Sequence, residues 1–434
     1  MMDVFAAVVV VATFYFIVRG TEVRLALLAG GAVLAVASLK PEAWFNAFAS
    51  SMVQAGLLTV ILPAIGFTAV IKLAKCDQHL VRLVVGPLLS LRAVIIPAAM
   101  LATLGLSIAI TSAAGITAAV GVVLIPAMIG LGIHPAMAAA AVIGGTWGGA
   151  FSPGSPHPAL IGDIAQTSVI QVILAHLHAS LPAAACFAIV LYLVARLRKE
   201  DRDWTPEKAG VTPKAGAPGQ ARSDEPVSWL RALMPVLPLA LLVLTVPQFG
   251  LTTTWFPKGL TVLQAMIIGT IFTALVARLG PADVVKSFFN GMGEAYAGVI
   301  GIIIAAGVFI GGLNAIGSID RLIEMLKEAQ SAAPVVAMLG TFGIAVLSGS
   351  GDAAAIAFNK AVLPHAEALG MEQLDLGNIA WLGGGLGRSM SPVAAATAIA
   401  AGYAGVSVFD IAKRTAVPAL SAAVLVVIIL GFLG

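Results

Sequence analysis

Long apolar stretches, interrupted by short clusters of Gly, Pro, Ser and Thr, dominate this chain. None of the 70 residues from Ala93 to Gly162 is Asp, Glu, Lys or Arg, and neither are the 32 from Ile164 to Ala195. A helix needs about 20 apolar residues to cross about 30 Å of hydrocarbon, so each run predicts more than one crossing. Membrane strands would alternate apolar and polar positions; the Ala, Ile, Val and Leu runs here do not. In the first half the pattern predicts helices near 4–18, 23–39 and 54–72 and an amphipathic stretch at 77–85. Two arms at 93–111 and 115–132 follow, then a broken helix from 136 to about 173 and a span at 178–195. In the second half it predicts spans near 232–247, 260–278 and 295–314 and an amphipathic stretch at 320–327. The arms then lie at 334–347 and 353–369, with a broken helix from 374 to about 405 and a last span at 415–433.

Between the halves, residues 196–231 carry 14 of the chain's 45 charges together with Pro206, Pro213, Pro218 and Pro226. This segment reads as a solvated linker. Its Lys and Arg residues assign it to the cytoplasm by the positive-inside rule, dividing the chain into 1–195, 196–231 and 232–434. Each pair of arms reads as a re-entrant hairpin, because counting them as crossings moves Lys and Arg to the wrong side. Each half then crosses about five times, and an odd number makes the two halves inverted repeats, as in secondary transporters. The layout puts 18 of 24 Lys and Arg in the cytoplasm, Lys40, Lys258, Arg321 and Lys327 outside, and Lys360 and Arg388 within the membrane. Both termini come out external. Asp3 precedes the first apolar run without a basic stretch or an A-x-A-like site, so the first helix is expected to be retained.

Direct comparison supports the duplication. GGTWGGAFSP at 144–153 matches GGGLGRSMSP at 383–392 at an offset of 239, and Ser112, Pro126 and Gly132 match Ser350, Pro364 and Gly370 at 238. Four polar breaks follow from this register: Thr111–Gly115, Ser152–Pro156, Ser348–Asp352 and Arg388–Pro392. Irregular backbone at membrane depth is tolerated only where protein or a polar cavity surrounds it. Helix N-termini created at such breaks favour an anion.

Arg388 suggests the sign of the cargo. An arginine at the centre of a span costs about 2.5–3.5 kcal/mol, and its planar fork suits a carboxylate; the alternatives are pairing with Asp352 or snorkelling to an interface. Asp352 is a candidate for a coupling proton or sodium ion, or for that pairing. His157, after the first Ser-Pro break, either adds positive charge when protonated or is a structural histidine. Asp163, Gln166 and Thr167 either line the site or lie at an interface, and Lys360 is expected to reach solvent. His176 and His178 lack the spacing of a helical metal site.

Composition adds limits. With 59% hydrophobic residues, 10% charged residues and a mean hydropathy of +1.01, the chain is no ordinary soluble domain. Cys76 and Cys186 stand alone and read as structural thiols. The dispersed basic residues give no nucleic-acid surface. No cofactor is implied, because phosphate loops and metal-ligand clusters are absent from the sequence.

The residues resemble the DcuC-type anaerobic four-carbon dicarboxylate carriers of the ion transporter superfamily. The likeness runs through AAGVFIGGLNAIGSIDRLI at 305–323, SGSGDAAAIAF at 348–358, LGRSMSPVAAATAIAAG at 386–402 and FDIAKRTAVPAL at 409–420. In the first half it rests on ITSAAGI at 110–116. The resemblance implies a scaffold domain from the early spans and a transport domain of hairpins and broken helices that moves as an elevator. It also implies a site from Thr111, Ser112, Ser152, Ser155, Ser348, Ser350, Asp352, Arg388, Ser389 and Ser391; the residues themselves add His157 as a candidate for substrate binding, and Asp352 and Asp163 as candidates for a coupling Na+ or H+. Where the family tends to carry an amide, this chain has Asp352, and where it tends to carry Ser-Gly-Asp, this chain has Ser155-Pro156-His157.

The expectation is therefore an all-α polytopic protein of a bacterial inner membrane, a homodimer, carrying succinate-, fumarate- or malate-class dianions. Carriage of citrate, a hydroxy acid or an amino acid is the runner-up. A channel and an intramembrane serine hydrolase using Ser350 and His365 are more distant, since neither explains two hairpins in an inverted repeat.

Overall fold

A computed structural model of the chain describes residues 2–202, 204, 226–245, 256, 259–319, 321, 324 and 332–433. The first half runs α1 (Met2–Val18), α2 (Val23–Ala37), α3 (Glu42–Met52), α4 (Ala55–Leu73), α5 (Cys76–Leu88), α6 (Ile95–Ala109) and α7 (Ala113–Gly130). It continues with α8 (Pro135–Gly144), a 3-10 segment Thr146–Phe151, α9 (Pro156–Ile164) and α10 (Val169–Leu197). The second runs α11 (Trp229–Leu233), α12 (Leu237–Leu244), α13 (Val262–Ala277), α14 (Pro281–Ala295), α15 (Gly301–Ala315), α16 (Ala333–Ser348), α17 (Gly351–Val362), α18 (Gln373–Met390), α19 (Ala395–Ala404) and α20 (Val408–Ile428). Among the described residues, six stretches are long and apolar enough to span a membrane: 55–73, 92–109, 113–130, 169–197, 281–315 and 408–433. The chain is all-helical in the manner of a polytopic membrane protein.

Three differences from the sequence pattern have local causes. The span expected at 178–195 begins at Val169, because Ser168 and Gln171 form a reciprocal capping box that starts α10 there. The short helices α3 and α14 were not among the expected elements; their apolar positions are mixed with polar ones, so no long apolar run marks them. Finally α14 continues through a π-helical turn, Tyr296–Ile300, into α15, extending the predicted span at 295–314 backwards to Pro281. The amphipathic stretch at 320–327 and most of the linker lie outside the described residues.

Small residues set how closely the helices pack. Helix α2 lies along α15, and a Cβ on Gly31 would stand 2.8 Å from the Val308 carbonyl oxygen. Helix α14 lies along α4, where a Cβ on Gly66 would stand 2.9 Å from the Phe288 carbonyl oxygen. Among the described residues three apolar clusters result. One joins α1, α2, α4 and α15, a second joins α4 with α12 and α13, and the largest joins α5–α10 with α16–α20. All ten residues of α8 are buried, as are residues 376–389 of α18.

The linker's first residues fold back onto the protein. The Trp204 amide donates to the Gly132 carbonyl and the His134 amide to that of Glu200. Arg414 of α20 holds the Glu200 carboxylate by Nε at 2.7 Å and Nη2 at 2.5 Å, and both side chains are buried. Removing one member of a buried pair strands the other charge, at about 3–5 kcal/mol. Arg414→Met is expected to lower the melting temperature of the detergent-purified protein sharply, and adding Glu200→Gln to restore most of it. A single variant as stable as wild type would show the pair to be idle.

Candidate functional site

The four breaks come together pairwise. The second hairpin turns at Gly349, whose φ of +75° is left-handed, and a Cβ there would stand 3.0 Å from Ala394, at the start of α19. Its tip therefore sits on the second Ser-Pro break. At the first hairpin the Thr111 carbonyl lies against Gly149 in the 3-10 segment, and Thr111 and Ser152 line one small cavity with Ala64 and Phe67 of α4 and Met266 of α13. Helices α7, α9, α17 and α19 all begin at these breaks, with Ser112, Ser155, Ser350 and Ala394 as N-caps. Their N-termini supply unpaired amides and positive dipole ends.

Across the halves runs a charged cluster. Asp352, in the first turn of α17, accepts from His157 Nε2 at 3.1 Å and lies 3.5 Å from Arg388 Nη1. Arg388 Nη2 donates to the Thr146 carbonyl at 3.2 Å, while its Nε has no partner. The His157 ring stacks on Trp381 with centroids 3.5 Å apart and planes 16° from parallel. His157 is fully buried and Arg388 nearly so, yet Asp352 exposes 43% of its side-chain surface. The carboxylate is thus the accessible face of a buried cationic pocket. An anion arriving there meets Asp352 first, and a guanidinium with capacity to spare behind it.

The hydroxyls divide by role. Ser112 and Ser350 cap their helices, accepting from the amides of Gly115 and Ala353. Ser348 donates to Ile344 and Ser389 to Gly385, each back along its own helix. Ser391 donates to the Val346 carbonyl at 2.7 Å and ties α18 to α16. Ser152 accepts from the Gly154 amide, and Ser155 is buried without a side-chain cap bond. Asp163 stands apart from the cluster: with Gln166 and Thr167 it lines a cavity of about 640 Å³ between α4, α9 and the start of α13. Lys360, expected in solvent, turns inward instead and donates to the Ile303 carbonyl of α15 at 3.0 Å.

Sequence reasoning passed over three participants. Trp381 was not singled out, although it precedes Arg388 by seven residues, two helical turns, and so shares its face of α18. Thr146 contributes only its backbone carbonyl, which no side-chain pattern reveals. His176, read only as a non-metal histidine, is buried, bonded to Ser180 Oγ, and meets the Ala150 carbonyl at 3.2 Å beside the first break.

The sequence model of a family described as C4-dicarboxylate anaerobic carrier matches residues 50–433. An uncharacterized transporter of Haemophilus influenzae is 40% identical over 276 residues, covering 63% of this chain and 97% of that protein. The anaerobic C4-dicarboxylate transporter DcuC of Escherichia coli K12 is 27% identical over 333 residues, covering 74% of this chain and 68% of that protein. That of Vibrio cholerae, named a probable DcuC, is 28% identical over 353 residues, covering 77% and 72%.

The hairpin tip gives a direct test of this geometry. Gly349→Ala imposes a left-handed φ on a residue with a Cβ, at about 1–2 kcal/mol, and presses that Cβ on Ala394. It should lower the melting temperature, whereas Gly340→Ala, in α16 with open space around it, should leave it unchanged or slightly raised. Equal effects would mean that the tip is not docked as described.

Proposed function

This chain belongs to the C4-dicarboxylate anaerobic carrier family, whose sequence model matches residues 50–433, and on that footing we propose that it carries small dicarboxylates of the succinate, fumarate and malate class across a bacterial inner membrane. The family is one of transporters, so the chain is a multi-pass membrane carrier and not an enzyme. The observation that carries the substrate assignment is the Arg388 cluster. A buried guanidinium with an unpartnered Nε can take a carboxylate in bidentate fashion, and helix N-termini at Ser112, Ser155 and Ser350 offer amides to a second carboxylate.

An inverted repeat accounts for the packing. Gly148 lies against Leu104 of α6 and Gly387 against Phe342 of α16; the pairs differ by 239 and 238 in number, the same register as the sequence duplication. Reciprocity extends outward, since α2 packs on α15 as α13 packs on α4. The clusters of α1, α2, α4 and α15 and of α4, α12 and α13 correspond to a scaffold of early helices, and the largest cluster to a body of hairpins and broken helices. Alternating access then proceeds as an elevator-type shift of the body against the scaffold, in a homodimer held by the scaffold.

Charge arithmetic assigns Asp352 its part. Arg388 and Asp352 cancel, so a dianion entering the unprotonated cluster would leave two negative charges in a poorly solvated place. Proton uptake by Asp352, with His157 as its hydrogen-bonded neighbour, halves that excess to a single negative charge. A sodium ion would balance charge equally, but the groups beside Asp352 are the nitrogens of His157 and Arg388 and not oxygen ligands, which favours a proton. The hydrolase alternative has no support in the geometry: Ser350 caps α17, and His365 lies fifteen residues further on, roughly 20 Å at ~1.5 Å per residue.

Purified protein in succinate-loaded liposomes should show saturable counterflow of labelled succinate. Arg388→Ala should reduce its kcat/KM by about 100-fold, in line with losing a charged hydrogen-bonded contact of ~3 kcal/mol. Asp352→Asn should keep counterflow but abolish accumulation driven by a pH gradient. Counterflow with citrate or a hydroxy acid but none with succinate would favour the other organic anions, and accumulation driven by sodium alone would reject the proton.

A further inference from the structure

Lys360 belongs neither to the Arg388 cluster nor to any break. It lies eight residues beyond Asp352 on α17 and turns away from the hairpin tip toward α15, where its ammonium donates to the Ile303 carbonyl at 3.0 Å. Gly307 admits it. A Cβ at that position would stand 3.1 Å from Lys360 Nζ and would collide with the hydroxyl of Ser51 on α3. Helix α15 thus carries a glycine-floored notch, filled from one side by a buried hydroxyl and from the other by an ammonium.

Asp163 on α9 is likewise seated over a glycine: a Cβ at Gly56 of α4 would stand 3.1 Å from its Cγ. Helices α9 and α17 therefore present one charge of each sign to α4 and α15, and each charge occupies a gap where a side chain is missing. Ala159 and Leu160 of α9 and Ile356 of α17 belong to the apolar cluster of α2, α4 and α15, so this face is a joint between the two bodies. A lysine inside a membrane costs about 2.5–3.5 kcal/mol against an apolar residue. A packing role alone would be met more cheaply by methionine.

Resting on the carrier reading, we infer that Lys360 is a positioning residue that latches α17 to α15 in this conformation, and that its ammonium leaves the Gly307 notch each time the carrier changes face. The latch stabilises one of two states, so removing it shifts the balance toward the other and speeds departure.

The test uses the whole protein in liposomes, with saturating succinate on both sides. Lys360→Met should raise the exchange rate at least about threefold while the counterflow KM stays within about twofold, a split that general damage to the fold would not produce. Gly307→Ala, which crowds the ammonium out from the other helix, should act in the same direction. An exchange rate at or below wild type in Lys360→Met, or an altered KM with an unaltered rate, overturns the latch. Absence of succinate counterflow in wild type would be a failure of the carrier reading alone. The latch is then judged by amide hydrogen exchange of residues 351–362 in unliganded, detergent-purified protein. Gly307→Ala must accelerate that exchange, and unchanged protection in α17 rejects the latch.

Discussion

A guanidinium enclosed by helices has to be matched by acceptors, because hydrocarbon supplies none. Arg388 finds them in Asp352, from the tip of the second hairpin, and in the Thr146 carbonyl, freed where the first half abandons α-helical geometry for a 3-10 turn. That requirement orders much else. The breaks have to lie beside one another, the helices leading into the two Ser-Pro breaks have to be deeply buried, and glycines have to let the hairpin arms press against them. Trp381 and His157, stacked face to face, close the remaining side. The two halves are thereby joined by a polar contact at their centre, surrounded by apolar packing.

Hydropathy disclosed the helices because length and composition alone govern whether a segment suits lipid. It disclosed less where composition is mixed, as at α3 and α14, which lack a long apolar run, and at α10, whose start is set by a capping pair rather than by hydropathy. The duplicated Gly-Gly and Ser-Pro pattern pointed to both breaks, and the isolated charges at Asp352 and Arg388 were legible as candidates that the structure brings together. Their pairing with His157 was open in the sequence, since it joins residues 195 positions apart.

Other features were illegible for plainer physical reasons. A backbone carbonyl such as that of Thr146 or Ile303 has no signature in a sequence. Lys360 looked like a side chain that would snorkel to water, and only the empty space over Gly307 turns it inward. Serines were the most ambiguous: the same residue type serves as a helix cap at Ser350, a tie between helices at Ser391 and an uncommitted hydroxyl at Ser155.

The clamp between Glu200 and Arg414 has a bearing on how the chain is connected. It secures the end of α10 to α20, so the first half is riveted to the last helix of the second by a bidentate ion pair rather than by the peptide joining them. The two partners stand 214 positions apart in the chain, so the end of one half and the last helix of the other are registered by a single pair of opposite charges, and a change at either residue is felt at both.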